Sequence, residues 1–69
     1  MKAAKLENSK RLQRVLAMLE TGREWSTLEL GQRARVCAVN SAAAELRQNG
    51  IPVRCTRRGD RWFYYLEDT

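Results

Sequence analysis

The chain has no histidine, one proline and no long apolar run. Without histidine the usual general base and the commonest zinc ligand are both missing. Its two cysteines, Cys37 and Cys55, lack metal-ligand spacing. Zinc sites, catalytic triads and Cys-His nucleophiles are therefore unsupported. The thiols read as two small buried core groups, and a disulfide is not expected in a cytosolic chain. The acids Glu20, Glu24, Glu29 and Glu45 lie among basic residues in segments patterned as surface helix. No general acid and base pair emerges, so an enzyme is the least expected class, and neither metal nor cofactor is called for. No segment approaches the ~20 apolar residues that span a bilayer. The opening "MKAAKLENSK" is basic but is not followed by an apolar stretch, so it does not read as a secretory signal. A cytoplasmic chain without a membrane partner is the expectation.

What is present is ordinary for a globular domain. The 69 residues are 43% hydrophobic and 30% charged. A chain of this size buries only ~60% of its unfolded surface, so the core is small. The net charge of +5 is uneven. Lys2, Lys5, Lys10, Arg11 and Arg14 face only Glu7 near the start, and Arg47, Arg54, Arg57, Arg58 and Arg61 face only Asp60 near the end. Two basic clusters on a small domain point to a polyanionic partner.

Residues 1–8 show no periodicity and read as a flexible basic arm, with the folded domain spanning 9–69. Leu12, Val15, Leu16 and Leu19 then form the stripe of an amphipathic helix from Ser9 to Thr21, with Asn8 or Ser9 as cap and Gly22 as stop. Ser26 and Glu29 have capping-box spacing, and Trp25 and Leu30 that of a hydrophobic staple. A short second helix therefore starts at Thr27. In "RVCAVNSAAAELRQNG", Val39, Ala42, Ala43 and Leu46 form the inward stripe of a third helix that ends at Gly50. The turn between the two covers about Arg35 to Ala38, and short helices joined so tightly describe a helix-turn-helix.

A hairpin follows. Ile51–Thr56 and Arg61–Leu66 read as strands around a Gly59-Asp60 turn, with Pro52 confined to the first strand's beginning. That turn pairs Val53 with Leu66 and Cys55 with Tyr64 on the inner face, where Trp62 extends the set. It pairs Arg54 with Tyr65 and Thr56 with Phe63 on the outer face. Arg58-Gly59-Asp60, the tripeptide of adhesion ligands, is on this reading only the hairpin tip.

Three helices and a two-stranded ribbon give a mainly α fold in winged-helix order. From about Asn8 to Leu66 the chain resembles the small winged helix-turn-helix DNA-binding domains of phages and prophages. The matching parts are "NSKRLQRVLAMLETG", "WSTLEL", "AELRQNGIPV" and "RWFYYL". Ala42-Ala43-Ala44 departs from the basic residue that many such domains place mid-helix.

The resemblance implies a second helix of the pair lying in the major groove of double-stranded DNA. Ala38, Asn40, Ser41, Ala44, Arg47 and Gln48 form its outward face. Asn40 and Gln48 suit adenine, Ser41 a base or phosphate, Ala38 and Ala44 a thymine methyl, and Arg47 a phosphate. Arg33 and Arg35 flank the turn as phosphate clamps. Arg57, Arg58 and Arg61 of the wing reach the backbone or a narrow minor groove, and Lys2 and Lys5 extend from the arm. Such a module covers one short site, so specificity calls for a homodimer or cooperative neighbours on DNA, with Phe63 and Tyr65 as a candidate contact. Regulation of transcription in a mobile element is the leading expectation. An architectural role in recombination or replication, and a protein-contact role without DNA, are the alternatives.

Overall fold

The computed structural model describes residues 5–67 of the chain. A 3-10 turn at Leu6–Asn8 leads into α1 (Lys10–Leu19), β1 (Trp25–Ser26), α2 (Thr27–Arg33), α3 (Val39–Gln48), β2 (Val53–Arg58) and β3 (Arg61–Leu66). The result is three helices and one three-stranded antiparallel sheet, an α+β fold.

Each helix starts and stops for local reasons. The Ser9 hydroxyl accepts from the Leu12 amide at the head of α1, which ends two residues short of the expected Thr21. Beyond it the Thr21 hydroxyl donates to Met18 O at 2.7 Å, and Gly22 takes a positive φ of 85°. At α2 both halves of the capping box form: Glu29 N–H donates to Ser26 Oγ, and Ser26 N–H donates to Glu29 Oε1. Trp25 and Leu30 are both buried on either side of that cap. Gly31, inside α2, has a packing reason: a Cβ there would lie 3.3 Å from Val36 O, in the turn that folds back on the helix. Gly50 leaves α3 with φ of 85°.

The sheet corrects the two-stranded expectation. Trp25 and Ser26 pair with Tyr64 and Phe63, so the sheet order is β1–β3–β2. A two-residue strand has no alternation to detect, and its residues were accounted for by the staple and the cap. The β2–β3 register is the expected one, from Val53↔Leu66 to Arg58↔Arg61. The ribbon's first strand, β2, starts and ends two residues later than Ile51–Thr56. Pro52 stays outside it, its carbonyl accepting from Glu67 N–H at 3.0 Å, and pairing continues through Arg57 and Arg58 up to the turn. Gly59 has φ of 63° and Asp60 does not share the positive sign, the pattern of a turn with glycine first.

One core joins all layers. Leu12, Val15 and Leu19 of α1 meet Val39, Ala42, Ala43 and Leu46 of α3, with Leu30, Val53, Trp25 and Tyr64 closing the sides. Polar clasps tie the layers at the rim. Arg11 pairs with Glu45 across α1 and α3. Arg14 Nε donates to Ala34 O at 2.7 Å, capping the end of α2 from α1. Part of the presumed arm is also held: Leu6 packs on the core and its N–H donates to Asn49 Oδ1 at 3.0 Å. Lys2 lies outside the described residues.

Two further expectations are corrected. Cys37 and Cys55 are exposed, not buried. Cys37 sits in the turn before α3, and Cys55 lies on β2 across an open hollow from the first turn of α3. Trp62 does not extend the core and remains 48% exposed. Near its tip the ribbon faces α2 and the first turn of α3 across open hollows, so Trp62 there is only partly covered.

Candidate nucleic-acid interface

The site is built on α3. Burying Val39, Ala42, Ala43 and Leu46 turns the opposite face to solvent by the 3.6-residue period. Asn40, Ser41, Arg47 and Gln48 are exposed there, and Ala44 is half-buried. Ala38, also exposed, is the N-cap and provides no side-chain acceptor. The first-turn amides of α3 thus keep their positive end open, the arrangement that attracts phosphate.

The arginines differ in their freedom. Arg33 lies 5.7 Å from the Trp25 ring, a cation–π contact that leaves its outer edge in water. Arg35 occupies the turn at φ of 57°, a left-handed conformation that glycine or asparagine adopts at less cost. Arg47 Nε donates to Val53 O at 2.8 Å, which fixes the root of the guanidinium and leaves its other N–H groups outward. Arg57 Nε likewise donates to Gly59 O at 2.8 Å.

Arg58 and Arg61 stand directly opposite each other in the register, a like-charge pairing that costs stability. Glu24 relieves it by pairing with Arg58 at 2.7 Å, and Arg58 also lies 5.5 Å from the Phe63 ring. Among the described residues, two arginines of the ribbon are paired with carboxylates: Arg58 with Glu24, and Arg54, farther from the tip, with Glu67 at 2.9 Å. Both members of the Arg58–Glu24 pair are accessible, so a phosphate can compete for Arg58 at small cost. The arginine of the Arg-Gly-Asp string is thus folded back on its own domain.

The predicted residues do not form one continuous surface. Arg57 shares a ribbon face with Trp62, while Arg58 and Arg61 lie on the other face. Phe63 and Tyr65, the candidate dimer contact, are half-buried. Sequence reasoning also missed several contributors. Glu24 as the partner of Arg58 has no local signal, since the two meet only through the fold. The Arg35 conformation has none either. Asn49, which accepts from Leu6 N–H and donates to Glu45 O, carries only the hint of its i+4 spacing from Glu45.

No helix among the described residues is long and apolar enough to cross a membrane. Nor do the described residues hold a cluster of three or more metal-ligating side chains. Comparison of the chain with protein families, curated proteins and solved structures finds no match.

Proposed function

We propose that this chain is a winged helix-turn-helix module that binds double-stranded DNA in a sequence-dependent way, acting as a small transcriptional regulator. The observation that carries the reading is α3: its apolar stripe is spent on the core, and its other face presents Asn40, Ser41 and Gln48 together with Arg47, whose guanidinium is anchored only through Nε to Val53 O. The order α1–β1–α2–α3–β2–β3 supports it, since it sets a ribbon beside a helix that follows a tight turn. On this reading α3 enters the major groove with Asn40 and Ser41 at base edges. Arg33, Arg35 and Arg47 meet phosphates beside it, and the ribbon arginines follow the backbone outward. No reaction is assigned to the site.

The test is a titration against a random duplex pool and its enriched sequences across salt concentrations. Neutralising about six phosphates predicts a log–log salt slope near −5, roughly a thousandfold loss between 50 and 200 mM salt. Arg61→Ala weakens binding to every sequence alike and lowers the slope by about 1. Arg58→Ala does less, because Glu24 already holds that side chain. Asn40→Ala relaxes preference at one base position, by about 1–3 kcal/mol. A flat salt response, or no duplex binding at low salt, would overturn the proposal.

A further inference from the structure

Trp62 alone among the aromatic side chains is exposed. It leaves β3 on the face that carries buried Tyr64, and its indole stands between two hollows. The larger, about 480 Å³, runs between the first turn of α3 and the ribbon. Val39 and Tyr64 line its apolar part, Asn40 and Thr27 its polar part, and Cys37 and Cys55 complete it. The smaller, about 210 Å³, lies between Trp62, Leu28 and Arg61. The larger volume falls within the ~300–1,000 Å³ of small-ligand sites.

The lining selects a kind of occupant. No charged side chain lines the larger hollow. It offers a flat aromatic wall, an apolar base, an amide and a hydroxyl. The Thr27 hydroxyl makes only a long 3.4 Å bond to Trp62 O, so it remains available. Charge lies outside the hollow: Arg57 is paired opposite Trp62 on the same ribbon face, and Arg61, rooted on the other face, lines the smaller hollow on the far side of the indole. A neutral interior with cations outside fits a flat, neutral heterocycle attached to a phosphate. Aromatic rings stack on bases of any sequence, and an amide can pair with an adenine edge.

We propose that this groove seats an unpaired nucleobase, stacked on Trp62 and read by Asn40, while Arg57 and Arg61 hold the adjoining phosphates. The proposal rests on the nucleic-acid reading of the same face and specifies a substrate for it. Bases inside an intact duplex have both faces stacked and cannot enter. The occupant is a bulged, flipped or single-stranded base, or the base of a free nucleotide.

The experiment compares three probes with the whole chain: a short intact duplex, the same duplex with one bulged adenine, and adenosine monophosphate. The bulged duplex is expected to bind about tenfold tighter than the intact one, the scale of one stacked base. It should also quench the emission of Trp62 and shield Cys37 and Cys55 from alkylation by iodoacetamide. Trp62→Ala should remove the preference for the bulge with intact-duplex affinity unchanged, and Trp62→Phe should keep most of it. Quenching and shielding by adenosine monophosphate alone would identify a free nucleotide as the source of the base. Equal affinity for both duplexes, with neither quenching nor shielding by any probe, would overturn the nucleobase seat and leave duplex binding standing. Failure of the duplex reading looks different: the intact duplex does not bind even at low salt. If the bulged duplex and the nucleotide are then also inert, both proposals fall.

Discussion

Arg35 illustrates what single residues contribute here. Its φ of 57° costs an ordinary L-residue ~1–2 kcal/mol, and asparagine tolerates that conformation better. A strained residue in a turn beside the proposed recognition helix is informative because the surrounding fold has to hold it there. Arg35→Asn is expected to leave the unfolding free energy unchanged or raise it by up to ~1 kcal/mol while weakening DNA affinity, which denaturant melts and DNA titrations of one preparation would show. A drop in stability would mean that the side chain, and not the fold around it, supports the turn. This conformation was not legible in the sequence, because nothing in "RARVC" separates a left-handed arginine from a helical one. Exposure of Cys37 and Cys55 escaped for a related reason. Residue type reports a preference for burial, and only the reach of the helices over the ribbon decides whether a site is covered.

At the scale of elements the sequence was far more informative. The stripes of α1 and α3, the glycine stops and the hairpin register all follow from spacing, because period and turn type leave few alternatives. The Ser26–Glu29 box was equally readable, and it carries a titration. The Ser26 N–H hydrogen bond is the main reason the Glu29 carboxyl is held below its ordinary value of 4.5, although desolvation opposes it. A carboxyl depressed in the folded state stabilises the fold above its unfolded value, and that contribution disappears as pH falls through the folded one. Thermal midpoints are therefore expected to fall as pH drops through 4.5 and below, and to fall less in Glu29→Gln, whose amide oxygen can still accept from Ser26. Identical pH profiles for the two proteins would show that the box carries no titration. Strand β1 lay below this level of legibility: two residues are recognisable as a strand only once β3 is beside them.

The whole molecule is small in both size and core. Its longest dimension is 33 Å, close to one turn of duplex at ~34–36 Å. On the proposed DNA-binding reading, a single copy would address one face of one turn. Leu46 is fully buried at the meeting of α1 and α3. Leu46→Ala is expected to cost ~2–5 kcal/mol, comparable to what a core of this size supplies. Circular dichroism at 37 °C should find the variant largely unfolded, and a native spectrum with an unchanged melting point would mean the core tolerates the void. The order of the helices and the hairpin, and most of the core, were legible from the chain; which groups face each other across the groove was not, since Asn40 and Trp62 meet only through the fold. The sheet order has one more consequence. It leaves β2 as an edge strand, whose outer row of backbone groups is closed at Val53, bonded to Ile51 O and Arg47 Nε, and open beyond it toward the turn. Such a row invites a second chain to add itself as another strand. Arg54, Arg57 and Arg58 project from that strand; Arg54 and Arg58 are paired with Glu67 and Glu24, so bringing two copies together there would set chiefly the Arg57 groups against each other. On the DNA-binding proposal, the guanidinium charge that meets a polyanion would also oppose polymerisation through the sheet's own edge.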